Sequence, residues 1–332
     1  MPDLANGLVK AMRTILKLRT LGILLSLLLL WSHATADAIR AQLPADVTMN
    51  KGAGCGSWLI VTLRLESGQD LAFVVDTGSP ITLLDKSLEP KLGKCLETMT
   101  YSTPDEEQES GVYRAPKLYL GSALLVTDAY IATYPFKRLS ARSHQHISGV
   151  LGMDCLRHYR IQLDFQAGKM RFLAADQIST ALGKAFPLSF SNEHQNFPPM
   201  FADASQNDSV PLLQHVGLLG GISTNSLVDT GDNVDGAVEK GTIRGHYLTR
   251  FMHFWLRFRA LRLPECVWDG KTYKQLRVTA GKNANRLGLR FLARHLVTFD
   301  FPNRTLYLEQ KSIGPLSPEK KRGKAACQPI KN

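Results

Sequence analysis

Two tripeptides in this sequence could do acid–base chemistry together: Asp76-Thr77-Gly78 and Asp229-Thr230-Gly231. Each follows an apolar lead-in, Val74-Val75 in one case and Leu227-Val228 in the other, and the glycine after each marks a tight loop. Such a run reads as a buried strand, so each would carry a carboxylate to the end of a hydrophobic element. An ionised carboxylate is costly to bury, and a chain that does this twice has reason to use the acids as a pair. Two carboxyls in close approach do not both ionise easily; one keeps a proton while the other stays charged, and they titrate as a unit. The ionised member can draw a proton from a water held between them. The protonated member can donate to a carbonyl oxygen, giving a tetrahedral intermediate without a covalent acyl-enzyme.

Positioning two such residues calls for two similar scaffolds, and the sequence repeats itself. Residues 151–165 align without a gap on residues 287–301. Leu151, Gly152, Leu156, Asp164 and Phe165 coincide with Leu287, Gly288, Leu292, Asp300 and Phe301, and apolar positions fall opposite apolar ones. Each copy follows its own Asp-Thr-Gly. Self-similarity on this scale is a statement about architecture: the chain is two copies of one unit.

At this point the residues resemble a known family, the aspartic proteases of the pepsin and retropepsin type, over roughly residues 55–310. The resemblance rests on both Asp-Thr-Gly loops, on Val150-Leu151-Gly152 and on the strand-like sequences that follow. In detail it is most similar to bacterial retropepsin-like proteins, in which a motif like Gly149-Val150-Leu151-Gly152-Met153-Asp154-Cys155-Leu156 precedes a strand ending Asp-Phe. The resemblance implies an all-β, bilobal acid-protease fold with a cleft between two homologous lobes, each supplying one catalytic aspartate, Asp76 and Asp229. It implies that Thr77 and Thr230 cross-brace the loops, that Gly78 and Gly231 let backbone amides approach the carboxylates, and that Ser79 hydrogen-bonds its own aspartate. It also offers Tyr101, in a Thr-Tyr pair on an expected hairpin, as a candidate flap residue; a surface strand tyrosine is the alternative. It implies no cofactor.

Composition sets the remaining bounds. The formal net charge is +11, but residues 1–36 contribute +3 and residues 311–332 contribute +5, which leaves +3 on residues 37–310. That is no nucleic-acid footprint. Four basic residues precede the apolar run Leu21–Trp31, and Ala34-Thr35-Ala36 fits a small-x-small cleavage site. Residues 1–36 therefore read as a signal peptide cleaved after Ala36, and the protein as periplasmic or secreted. The run is short for a membrane-spanning anchor, so membrane association would come only from an uncleaved signal segment. Five cysteines, at 55, 95, 155, 266 and 327, fit an exported chain with one or two disulfides and a spare thiol. No Cys-x-x-Cys or His-x-x-x-His spacing appears, so no metal site is expected, and His144 and His146 read as loop residues.

The expected organisation is an N-terminal lobe over 45–178, a C-terminal lobe over 185–310 and a basic, disordered tail over 311–332. Residues 58–65 and 71–75 read as a hairpin closed by Ser67-Gly68, and 81–84 as a further strand. Glu97–Tyr101 and Val112–Leu120 flank an acidic, turn-rich tip that would be the flap hairpin. The Pro-rich stretch from Asp176 to about Gln214 reads as the lobe boundary. The arginine- and aromatic-rich stretch 242–263 reads as a strand with one apolar and one basic face rather than as a nucleic-acid surface.

Two features of the second copy depart from the pattern. Asp232 stands where Ser, Thr or Ala is usual, and Asn285-Arg286-Leu287-Gly288 replaces Gly149-Val150-Leu151-Gly152. A third carboxylate beside the dyad raises proton affinity further or needs a positive partner. The leading reading is an exported aspartic endopeptidase acting on peptide or protein substrates as a monomer, its lobes pairing in cis. A catalytically weak peptide-binding or assembly module of the cell envelope, and units that each dimerise with another chain, are the alternatives.

Overall fold

The alternation in Ile60-Val61-Thr62-Leu63-Arg64-Leu65 puts Val61, Leu63 and Leu65 into the core and leaves Thr62 and Arg64 exposed. Gly68, at a φ of 85°, takes a left-handed conformation and turns the strand back on itself. The computed structural model describes residues 43–102, 107–177, 182–191, 210–216, 223–239, 261–281, 285–318 and 327–329. The expected signal segment and the stretch 242–260 lie outside the described residues. From Pro44 onward the chain forms one compact unit.

Twelve strands precede residue 173: β1 (Val47–Thr48), β2 (Ile60–Leu65), β3 (Asp70–Val75), β4 (Leu83–Asp85), β5 (Glu97–Ser102), β6 (Glu107–Arg114), β7 (Leu118–Leu120), β8 (Ala123–Leu124), β9 (Tyr130–Tyr134), β10 (Gly149–Leu151), β11 (Arg160–Asp164) and β12 (Lys169–Phe172). Nine of them form one sheet in the order β5-β6-β9-β4-β10-β3-β2-β7-β8. Two short helices interrupt the series, α1 (Lys137–Ser143) and α2 (Met153–Leu156).

The second half supplies β13 (Lys184–Ser191), β14 (Val210–Val216), β15 (Ser223–Asp229), β16 (Gly236–Glu239), β17 (Leu261–Trp268), β18 (Lys271–Gly281), β19 (Asn285–Gly288), helix α3 (Leu289–Leu292), β20 (His295–Asp300) and β21 (Thr305–Gln310). These strands join β1, β12 and β11 in a twelve-stranded sheet, β1-β12-β11-β20-β21-β13-β14-β15-β19-β16-β18-β17. The fold is all-β, as expected, and is built mainly on these two large sheets.

The repeat has a structural axis. β11 and β20, the equivalent strands, pair antiparallel with Gln162 opposite Thr298, and Gln162 Nε2 donates to Thr298 Oγ1 at 3.2 Å. The offset that carries Gly152 onto Gly288 also carries Gln162 onto Thr298, so the pseudo-twofold passes between this pair. On each side of it the glycine strand is inserted in the same way. β10 lies parallel to β3 and antiparallel to β4, and β19 lies parallel to β15 and antiparallel to β16. The short helix that follows is tied to the aspartate loop in both copies: Met153 N donates to Ser79 O at 2.9 Å and Leu289 N to Asp232 O at 2.7 Å.

That arrangement explains Gly152 and Gly288. A Cβ at Gly152 would overlap the carbonyl of Ile81, and one at Gly288 the carbonyl of Val234. Both obstructions are backbone and cannot rotate away. Gly152→Ala and Gly288→Ala are each expected to destabilise the protein by about 1–3 kcal/mol, the usual cost of overpacking. Urea unfolding checks this, and an unchanged midpoint would show that the loops have slack.

Three expectations need correction. The Pro-rich stretch 176–214 is not merely a boundary, because it contains β13 and part of β14. β13 pairs with β21 through Lys184–Pro187 and changes partner to β14 from Leu188 onward, so Pro187 sits at the switch. The tail is ordered through Pro318: Leu316 is buried, Arg294 Nη1 donates to Ile313 O at 2.9 Å, and β22 (Leu316–Pro318) pairs with β23 (Cys327–Pro329). Its apolar Ile313 and Leu316 were masked in the sequence by the surrounding Lys and Pro. Finally, Cys55 is disulfide-bonded while Cys95, Cys155 and Cys266 are free, so there are more spare thiols than expected.

Candidate active site

β3 and β15 deliver the two aspartates. Both strands are apolar where they enter the loops; Val74, Val75 and Val228 are each at most 2 % exposed. The loops then lock together through their threonines. Thr77 Oγ1 donates to Val228 O at 2.6 Å and accepts from Thr230 N at 3.0 Å. Thr230 Oγ1 donates to Val75 O at 2.8 Å and accepts from Thr77 N at 3.0 Å. Every polar group of this four-bond lock is buried and satisfied, as buried polar groups require. The cross-brace expected of Thr77 and Thr230 is present.

The glycines hold the carboxylates. Gly78 N donates to Asp76 Oδ1 at 2.8 Å and Gly231 N to Asp229 Oδ1 at 2.9 Å. Each glycine also faces the opposite loop's acid. A Cβ on Gly78 would lie 2.7 Å from the Asp229 carboxyl carbon, and one on Gly231 would collide with the Asp76 carboxyl. Only glycine lets the two carboxyls approach. Ser79 departs from expectation. Its hydroxyl donates to Ile81 O at 2.8 Å, closing its own turn, and only its backbone N–H reaches Asp76, at the carbonyl, 3.3 Å away.

The electrostatics are those of two enclosed carboxyls in close approach. The two carboxyls lie against each other's loops and alter each other's proton affinity. Burial, as the largest cause, raises Asp76 above the ordinary carboxylate range, and the Gly78 amide opposes the rise. Burial, followed by the charge of Asp76, pushes Asp229 up to about 7. Asp232 is pushed up to about 6 by burial and by Asp229.

Two further residues belong to this site and were missed from the sequence. Trp58, at the foot of β2, donates its Nε1 to Gly231 O at 2.8 Å, joining the first half to the second loop. Arg286 on β19 stands with its Nε 3.9 Å from Asp229 Oδ2. The only sequence signal for Arg286 was a charge where the first copy of the repeat has Val150.

A cavity of about 300 Å³ opens beside Asp76, with Val74, Leu83, Phe136, Leu139 and Val150 as its apolar walls and Arg138 and Arg142 of α1 also lining it. Its size suits one large side chain. Tyr101 lies on β5 opposite Gln108 of β6, on the expected hairpin at the edge of the nine-stranded sheet; its side chain and the tip at 103–106 lie outside the described residues. Among the described residues no cluster of His, Cys, Asp and Glu could hold a metal ion.

Residues 61–155 match the family model described as aspartyl protease, a segment that holds Asp76, its loop and the Gly149–Leu156 support. No curated protein matches the chain. The match supports an aspartyl protease of the pepsin/retropepsin-like type, and the all-β fold agrees with it.

Proposed function

We propose that the protein is an exported aspartic endopeptidase whose dyad is Asp76 and Asp229, one from each half of a single chain. The observation that carries this reading is the reciprocal threonine lock, which holds the loops of two acids from equivalent strands face to face. Asp229 and its support lie beyond the segment matched by the aspartyl protease family, so the pairing rests on geometry and on the internal repeat.

In this mechanism one carboxyl carries the shared proton and the other is ionised. The ionised oxygen accepts a proton from a water lying between the acids, and the water oxygen attacks the peptide carbonyl carbon. The protonated carboxyl donates to the carbonyl oxygen as it gains charge. Collapse of the intermediate returns that proton to the dyad and delivers the other to the departing amine. Gly78 and Gly231 stabilise the ionised state through their amides, and burial opposes it, so the pair retains one proton over an elevated range. The cavity of Phe136, Leu139 and Val150 supports a preference for a large apolar side chain bound on the first-half side. Export is supported by the basic lead, apolar run and Ala34-Thr35-Ala36.

Cleavage of an unfolded protein by residues 37–332, measured from acid to alkaline pH, tests the reading. Activity needs the singly protonated dyad. It is expected to decline as pH rises through about 7, where the pair gives up its shared proton, and to decline in acid as the second carboxyl is protonated. Absence of cleavage at every pH, with retained peptide binding, would instead identify a binding module. Activity that appears only on mixing chains at high concentration would identify pairing in trans.

A further inference from the structure

The two departures in the second copy occupy matched positions. Arg286 replaces Val150: Val150 pairs with Val74, two residues before Asp76, and Arg286 pairs with Leu227, two residues before Asp229. Asp232 replaces Ser79, each the third residue after its aspartate and each accepting, through its carbonyl, the first N–H of the short helix. In the first half the matched pair is therefore apolar and neutral, with Val150 buried. In the second it is a cation and an anion, both brought to the dyad. Arg286 stretches toward Asp229 and keeps its Nε enclosed without a hydrogen-bond partner, while its side chain is 39 % exposed. At that distance Nε acts on Asp229 through its charge and not through a hydrogen bond.

We propose that Arg286 is a positioning residue that forms a compensating pair with Asp232, so that a dyad flanked by a third carboxylate still holds a single shared proton. The proposal rests on the reading of Asp76 and Asp229 as a dyad. The groups facing Arg286 are Asp76 from the first loop and Asp229 and Asp232 from the second, and its charge favours the ionised form of all three. Asp235, further along the same loop, has its own cations: Arg294 Nη2 at 2.7 Å and Arg290 Nε at 3.2 Å. Without Arg286, three enclosed carboxyls would lie together with only backbone amides to offset them, and the pair would stay doubly protonated to higher pH.

The test compares the full chain with Arg286→Val, Asp232→Ser, Arg286→Lys and the double variant Asp232→Ser/Arg286→Val, which recreates the first-half pair. Two readouts are taken: the pH profile of kcat/KM on one peptide, and the carboxyl titration followed by ¹³C NMR on aspartate-labelled protein. Removing a nearby opposite charge is expected to move both limbs of the profile to higher pH by about 1 unit or more in Arg286→Val. Asp232→Ser should move them lower, the double variant should return near the starting profile, and Arg286→Lys should keep it. Arg286→Val with unmoved limbs and unmoved carboxyl titration would overturn the proposal. If no variant or parent cleaves the peptide, the endopeptidase reading fails while the NMR titration still decides the role of Arg286.

Discussion

Asp76→Asn and Asp229→Asn are each expected to lower kcat on an unfolded protein substrate by about 10²–10⁴-fold, the scale of a lost general acid or base. An amide cannot accept the proton of the attacking water, nor can it share a proton with the remaining carboxylate. The two losses should not multiply in the double variant, because a dyad is one functional unit and the first substitution already breaks it. Folding is expected to survive, since the threonine lock, not the carboxylates, joins the loops. Stability can rise, because an enclosed charge is removed. Steady-state kinetics on both variants, with circular dichroism as the folding control, gives the answer. Substantial turnover by Asp229→Asn would make the second half a scaffold and leave Asp76 to work with some other group.

Arg294→Met is expected to cost about 3–5 kcal/mol of folding stability, the penalty for breaking a buried ion pair and leaving its partner enclosed. Neither Arg294 nor Asp235 is exposed to solvent at all. The guanidinium donates through Nε and Nη2 to Asp235 Oδ1 at 3.0 and 2.7 Å, and through Nη1 to the carbonyls of Lys274 and Ile313 at 2.8 and 2.9 Å. The substitution therefore releases the segment after β21 as well as the carboxylate, whose Oδ2 accepts from Arg277 N at 2.7 Å. Arg290 remains within 3.2 Å of Asp235 and will hold the loss toward the lower end of that range. Denaturant unfolding measures it, and a loss under about 1 kcal/mol would mean that Arg290 alone is sufficient. Asp235→Asn in the Arg294→Met background should recover part of the stability by removing the stranded charge.

What could be read from the sequence was what is local and apolar. Val74-Val75 and Leu227-Val228 announce buried strands without help from the rest of the chain, and an ungapped repeat needs no coordinates. Asp76 and Asp229 stand out from those two facts, and the resemblance to aspartic proteases adds the threonines and glycines. Hydrogen-bond choices were not legible. Ser79 has two carbonyl or carboxyl partners within its own loop, and the structure, not the sequence, selects Ile81 O. Helix α1 escaped notice because Lys137-Arg138-Leu139-Ser140-Ala141-Arg142-Ser143 has no apolar stripe, and none of its residues is fully buried. Arg294 occupies the place of His158 in the repeat, so nothing in the pattern foretold a fully enclosed cation. Arg286 looked like erosion of an apolar segment until strand register put it beside Asp229.

The pairing of Gln162 with Thr298 at the centre of the long sheet bears on how a substrate is oriented. In an assembly of two identical chains, an axis at that point would make both sides of the cleft alike, and a bound polypeptide could lie head-first or tail-first with equal ease. Covalent continuity removes that degeneracy and makes the encounter of the two acids independent of dilution. One flank of this cleft is Val150 with Ser79; the other is Arg286 with Asp232. In the proposed protease, a polypeptide crossing the axis would meet Val150 and Ser79 on one side and the charged Arg286 and Asp232 on the other, which would give it a direction.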